Sequence, residues 1–71
     1  LNGQSTYAAT ITATGVVTHN LGTKDVIVQL YDVTTFDTVY ADIDRTSVNA
    51  VTVTFGSTPT NSIRVLVQKI G

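Results

Sequence analysis

The sequence of 71 residues contains no cysteine, methionine, tryptophan or glutamate, and only one histidine. Without cysteine there are no disulfides, and a single histidine cannot supply the several nitrogen or sulfur ligands of a structural zinc site. A chain this short buries little surface on folding and usually depends on disulfides, a metal or a partner chain. Since the first two are excluded, we expect one domain that self-associates.

Charge and long apolar runs are scarce too. Four lysines and arginines stand against five aspartates, which gives a formal net charge of −1. Such a chain has no positive field with which to gather phosphates, and no apolar run is long enough to cross a bilayer. No signal-peptide pattern opens the sequence. We therefore expect neither nucleic-acid binding nor membrane insertion.

β-Branched residues dominate what is present. The chain has 14 threonines, 11 valines and 5 isoleucines, so 30 of its 71 residues favour strands over helices. Turn-forming residues separate six runs with the pattern of strands, at 7–14, 16–19, 25–33, 39–44, 51–55 and 63–70. The turns lie at 20–23, 34–38, 45–49 and 56–61, and the first has the Asn20 and Gly22 that a tight turn needs for positive φ. The pattern predicts an all-β fold, a small antiparallel β-sandwich of about six short strands at residues 6–71, with 1–5 as a linker or N-terminal arm.

The runs at 25–33 and 63–70 are apolar on both faces, unlike the other strands. One face of each fits the core of a sandwich, which leaves a second apolar face without cover. These second faces carry Ile27, Tyr31, Leu66 and Ile70. We expect them to bury against symmetry-related copies, because closed rotational symmetry is the usual arrangement of such contacts.

Several segments of the sequence together resemble a known module. They are Val-Thr-His-Asn-Leu-Gly-Thr at 17–23, the apolar run at 25–28, Tyr31-Asp32, Asn-Ala-Val-Thr-Val-Thr-Phe at 49–55 and Ile-Arg-Val-Leu-Val at 63–67. Residues 16–70 are similar to the short β-modules near the C-termini of bacteriophage tail fibres and other virion proteins. The chain departs from that pattern in the hairpin at 34–38, where family members commonly have a glycine and this sequence has none.

The resemblance implies a location in the virion and a set of partners. It implies a homotrimeric β-sandwich arranged around a fibre axis and in contact with other virion proteins. It further implies a role in host recognition or virion architecture, without catalysis. We therefore expect a homotrimer, which also satisfies the need of a small chain for a partner.

His19 is the one side chain with the ordinary chemistry of a general base. Because it borders the turn at 20–23, we expect its ring to bond nearby backbone and hold that turn to its strand. The alternative is a metal bound by the histidines of several copies on a trimer axis. No cysteine accompanies it, and Ser5, Ser47, Ser57 and Ser62 lie in turn-like stretches. We expect no enzymatic activity, no cofactor and no metal.

Asp42 and Asp44 share one face of a predicted strand. Paired carboxylates can act together in catalysis or hold calcium, here with Asp32 or Asp37. The sequence has no calcium-binding loop motif, so we expect solvated carboxylates instead. They would also discourage pairing between copies if the strand lies at the edge of its sheet.

Two loops carry the chemistry of a binding surface, the hairpin at 34–38 and the loop at 56–61. The candidate contacts are a ring, an acceptor and three short polar side chains: Phe36, Asp37, Ser57, Thr58 and Asn61. The ring either folds back onto Tyr40 or stands exposed, and an exposed ring with such neighbours suits a glycan or protein of a host surface. The alternatives are a capsid decoration or other architectural virion protein, and an accessory carbohydrate-binding domain of an enzyme.

Overall fold

The strands account for all regular structure in the computed structural model, which describes residues 5–70. Their bounds are β1 Thr6–Ile11, β2 Gly15–Thr18, β3 Val26–Asp32, β4 Thr38–Val39, β5 Asp42–Ser47, β6 Ala50–Thr54 and β7 Ile63–Lys69. Most of the predicted linker, residues 1–4, and the last residue of the predicted domain lie outside the described residues. No helix long and apolar enough to cross a bilayer occurs between residues 5 and 70.

The strands form two antiparallel sheets that face each other. Sheet A has the order β1-β7-β3-β4, and sheet B has the order β2-β6-β5. Both sheets contribute to one core of nine buried side chains: Val17, Leu21, Val26, Leu30, Val51, Val53, Ile63, Val65 and Val67. The prediction of an all-β antiparallel sandwich is confirmed.

Alternation along each strand decides which side chains enter this core. In β7, Ile63, Val65 and Val67 are buried, whereas Leu66 between them points outward. The strand lies in the middle of sheet A, paired with β1 on one side and β3 on the other. Its inner face therefore packs against sheet B, and its outer face belongs to the surface of the chain.

The structure has seven strands because the predicted run at 39–44 divides in two. Thr38–Val39 is an edge strand of sheet A, and Asp42–Ser47 is an edge strand of sheet B. The chain therefore crosses from one sheet to the other at residues 40–41. Asp42 and Asp44 are exposed on this edge strand, as we expected. The run at 7–14 is shorter than predicted, since β1 ends at Ile11 and the next residues carry the chain to sheet B.

The predicted turn at 45–49 is wrong. β5 continues to Ser47 past an irregularity in its pairing between Asp44 and Ser47, and the turn consists of residues 48–49. Arg45 lies in the irregular segment, and its Nη2 and Nε donate to the carbonyl oxygen of Val26 at 2.7 and 3.3 Å. Polar residues here therefore belong to a bulged edge strand that reaches across to sheet A.

The sandwich has two distinct ends. At one, which we call the terminal end, the Lys69 amide donates to the carbonyl oxygen of Ser5 at 2.7 Å. At the other, the loop end, Ile63 of β7 stands opposite Ile11 of β1 and Asp32 of β3. The loops at 33–37 and 55–62 both begin or end there, so the fold collects them at one end of sheet A.

Candidate functional site

Asp32, the last residue of β3, organises the hairpin loop at the loop end. Its Oδ1 accepts hydrogen bonds from the amides of Thr34 and Thr35 at 2.7 and 3.1 Å. Its backbone closes the same loop, since its carbonyl accepts from the Phe36 amide and its amide donates to the Asp37 carbonyl. This is the turn-forming use of aspartate, in which the side chain bonds the backbone just after it.

The same carboxylate binds the second loop. Its Oδ2 accepts from Nδ2 of Asn61 at 3.0 Å, and beside it the Val33 amide donates to the carbonyl of Ser62 at 3.1 Å. The bond from Asn61 and those from the Thr34 and Thr35 amides hold the pKa of Asp32 below its ordinary value. One ionised side chain thus ties the two predicted binding loops together.

Phe36 is presented on the tip of the hairpin. Its side chain is 76% exposed, and its backbone is left-handed at φ 63°. The ring stacks on Tyr31 with centroids 6.2 Å apart and does not cover Tyr40, which is 89% exposed. A left-handed backbone at a bulky residue costs about 1 kcal/mol, so this loop supports an aromatic ring where glycine would be favoured.

The other residues predicted for the binding loops differ in their availability. Asp37, Ser57 and Thr58 are exposed. Asn61 is half-buried and donates from Nδ2 to Asp32, so it holds the two loops together. Phe36 with three exposed polar side chains is therefore what the loop end offers to a ligand.

The four residues predicted for a subunit interface do not form one patch. Ile27 and Leu66, 55% and 38% exposed, line one open groove of about 520 Å³ on the outer face of sheet A. Tyr31 lies nearer the loop end under the Phe36 ring. Ile70 lies at the terminal end, in an opening that it shares with Arg45. Ile27 and Leu66 therefore share the groove. Tyr31 lies outside its lining, although it is a diagonal neighbour of Leu66 across the pair of β3 and β7.

The expectation that the His19 ring bonds nearby backbone and holds the turn at 20–23 is confirmed. The side chain is 1% exposed, and its Nδ1 accepts from the Leu21 amide at 3.0 Å, which ties the turn to β2. Nδ1 can accept only when it carries no proton, so the ring is the neutral tautomer with hydrogen on Nε2. Nε2 has no hydrogen-bond partner among residues 5–70. Burial lowers the pKa of His19 below its ordinary value.

The His19 ring also lies inside the chain and not on its surface, where a metal shared between copies would need it. Among the described residues, no three histidine or acidic side chains converge in a way that could hold a metal ion. Asp42 and Asp44 remain solvated on their edge strand.

Asn49 is a structural residue that sequence reasoning missed. Its carbonyl accepts from the amides of His19 and Asn20 at 2.8 and 3.0 Å, and its Oδ1 accepts from the Gly22 amide at 3.0 Å. Asn20 and Gly22 both have positive φ, as the composition of the turn predicted. The bond to a residue in a distant turn depends on how β2 pairs with β6, and no local pattern signals it.

Comparison of the chain with protein-family models, with curated proteins and with solved structures yields no match. Exposed rings, hydroxyls and a carboxylate at the loop end can bind a ligand by stacking and hydrogen bonding. His19 is 1% exposed, and its Nδ1 already accepts an amide hydrogen.

Proposed function

We propose that this chain is a non-enzymatic structural module of a virion, part of a phage tail fibre that binds the host surface through its loop end. The observation that carries the proposal is Phe36, an exposed ring on a left-handed backbone that Asp32 holds in place. Rings presented on a rigid scaffold at loop tips are typical contacts of binding modules. The resemblance of residues 16–70 to virion modules supports the location.

The proposed assembly is a homotrimer with the loop ends directed towards the host. Ile27 and Leu66 support it, because two apolar side chains share a groove on a sheet face that the chain itself leaves open. The groove lies on the outer face of sheet A between β1, β7 and β3, away from the hairpin tip. A contact there leaves Phe36 free for a ligand.

The proposed ligand is a glycan of the host cell envelope. A sugar offers an apolar ring face for stacking and hydroxyls that need directional partners, and neither requires a strongly charged protein surface. Phe36 supplies the ring, and Ser57 and Thr58 supply exposed hydroxyls in the adjoining loop. A protein receptor is the competing outcome of the test.

The test compares Phe36→Ala with Tyr40→Ala, a matched loss of an exposed ring that stacks on no other ring of residues 5–70. Binding is measured on arrays of envelope glycans and on intact bacteria. We expect Phe36→Ala to weaken binding by about 1–3 kcal/mol, as for aromatic hot spots, and Tyr40→Ala to leave it unchanged. The melting temperature of both variants should stay near that of the wild type, because exposed rings bury little on folding.

Four other results would count against the proposal or a part of it. If Phe36→Ala lowers the melting temperature or dissociates the oligomer while binding persists, the ring is a structural contact. If cells bind the chain and glycans do not, the receptor is a protein. Gold-labelled antibody against the chain then locates it on virions by electron microscopy. Label on heads supports a capsid decoration instead, and absence of label from virions overturns the virion assignment.

A further inference from the structure

A row of four side chains crosses the outer face of sheet A beside Phe36. Thr38 of β4 pairs with Tyr31 of β3, Tyr31 pairs with Arg64 of β7, and Arg64 pairs with Thr10 of β1. We call these four residues the Arg64 row. Neighbouring strands lie about 4.8 Å apart, so adjacent side chains of the row are within reach of a single sugar ring.

Arg64 is the one charged residue on this face. The outward positions of the sheet A strands within the described chain are otherwise uncharged: Thr6, Ala8, Thr10, Ile27, Gln29, Tyr31, Thr38, Leu66 and Gln68. Arg64 is half-buried, and its Nη1 donates to Oγ1 of Thr10 at 3.0 Å. No carboxylate of residues 5–70 pairs with it. Its other N–H donors have no protein partner among residues 5–70, and a guanidinium presents its donors in a fork that matches a carboxylate.

The stacked rings lie next to this cation. Phe36 stacks on Tyr31, and Tyr31 is the cross-strand neighbour of Arg64. An aromatic pair beside an uncompensated guanidinium offers stacking and charge pairing to the same ligand. A neutral sugar would use only the rings, and a simple anion would use only Arg64.

We propose that Tyr31, Phe36 and Arg64 form a binding site for an acidic sugar. The exposed ring of Phe36, stacked on Tyr31, takes the apolar face of the pyranose, and the guanidinium of Arg64 pairs with the sugar carboxylate. Thr10 and Thr38 stand at the two ends of the row, where their hydroxyls meet those of the ligand. The inference rests on the proposed function and deepens it, because it names the class of glycan and adds Arg64 to the site.

This assignment moves Tyr31 from the predicted subunit interface to the ligand site. Tyr31 lies towards the loop end, whereas Ile27 lies four residues earlier in β3, towards the terminal end. The Arg64 row is the next outward row after Leu66 and is not part of the groove lining, so a contact with another copy that is confined to the groove leaves the row uncovered.

The test uses two disaccharides that differ in one group. Cellobiuronic acid has a carboxylate where cellobiose has a hydroxymethyl group, and each is titrated into the 71-residue chain while amide NMR shifts are recorded. We expect cellobiuronic acid to shift the signals of Tyr31, Phe36 and Arg64 and to bind at least about tenfold more tightly than cellobiose. Arg64→Gln should remove that difference, and Arg64→Lys should restore part of it.

The control is Lys24→Gln, which removes the same charge at an exposed position of the terminal end. It should leave the preference for cellobiuronic acid intact. Equal binding of the two sugars, binding of neither, or a preference that survives in Arg64→Gln would overturn the inference. If glucose 6-phosphate binds more tightly than cellobiuronic acid, the cation serves a phosphate and the sugar-acid assignment is wrong.

These outcomes separate the two proposals. If cellobiuronic acid does not bind while Phe36→Ala still weakens attachment to bacteria, the acidic-sugar site falls and the proposed function stands. If cellobiuronic acid binds at the Arg64 row while Phe36→Ala leaves attachment unchanged, the site stands and its role in host binding falls.

Discussion

His19 couples the fold to pH through a single hydrogen bond. Its Nδ1 accepts the Leu21 amide, so a protonated ring would lose that bond and carry a buried charge. Folding therefore favours the neutral ring, and the folded-state pKa lies below the ordinary value of 6.5. The unfolded chain binds the proton first as the pH falls, so the stabilisation is complete above 6.5 and declines below it.

The prediction for His19 is a stability that falls on acidification by at most about 1.4 kcal/mol per pH unit. His19→Asn keeps an acceptor near the Leu21 amide and cannot titrate, so it should flatten this part of the profile. It should also cost about 1–3 kcal/mol through the volume it leaves empty. Urea unfolding at a series of pH values measures both effects. An unchanged slope in the variant would assign the pH dependence to another group.

Asp32 titrates in a separate window. Its folded-state pKa is lowered chiefly by the bond from Asn61, so the ionised form stabilises the loop end above the ordinary aspartate pKa. That stabilisation is lost as the pH falls through the lowered value. We expect Asp32→Asn to remove this acid-dependent loss and to speed hydrogen exchange of the Thr34 and Thr35 amides. Asp37→Asn, which changes an exposed carboxylate in the same loop, should do neither.

Individual residues differ in how far their roles follow from the sequence. Asn20 and Gly22 take positive φ as predicted, because their residue types favour that backbone locally. Phe36 also has a positive φ, although its residue type disfavours that backbone, because its amide is hydrogen-bonded to the carbonyl of Asp32. The hydrogen bond between Asp32 and Asn61 joins residues that are 29 positions apart in the sequence, and the pairing of β3 with β7 brings them together.

At the scale of the elements, β5 joins the two sheets by more than apolar packing. Arg45 in its bulged segment donates two hydrogen bonds to the carbonyl of Val26, the first residue of β3. The bulge lets an edge residue turn towards the other sheet while the strand continues to Ser47. Since charge-assisted bonds are stronger than neutral ones, this contact should stabilise the terminal end measurably.

Arg45→Ala should lower the free energy of unfolding by about 1–2 kcal/mol. Lys24→Ala, a neighbouring cation with no such bond, should change it by no more than about 0.5 kcal/mol. Chemical denaturation of the two variants at neutral pH gives the comparison. Equal stability of both variants would mean that the bonds of Arg45 contribute nothing net.

The sequence predicts a strand well where the evidence is the alternation within that strand, and poorly where the structure depends on pairing with distant strands. Alternation in 63–67 predicted the buried face of β7, because each side chain follows the pleat of its own strand. The crossing at residues 40–41 was missed, since which sheet a short run joins depends on partners far along the chain. For the same reason, the polar segment after Asp44 resembled a turn although β6 pairs with it through Ser47.

At the scale of the whole molecule, the prediction is a homotrimer. A double variant, Ile27→Thr with Leu66→Gln, should dissociate it without unfolding the chain, because both side chains are exposed in the single chain. Val16→Thr is the control, an exposed residue of β2 in the other sheet. Native mass spectrometry at micromolar concentration measures the outcome. A folded wild-type monomer, or a double variant that stays trimeric, would contradict the proposed interface.

The bond between the Lys69 amide and the Ser5 carbonyl holds the two described ends of the chain side by side, which suits insertion of the module into another protein. The described ends of the chain lie one strand spacing apart, about 5 Å, so a host protein could accept the module in a surface loop without opening its own fold. A short peptide could also join those ends while residues 12–14 are cut, which would give a circular permutant with every strand pairing retained. In the inserted arrangement, Phe36 and the Arg64 row would lie towards the end of the sandwich opposite the point of attachment, whereas the new termini of the permutant would lie at the loop end itself.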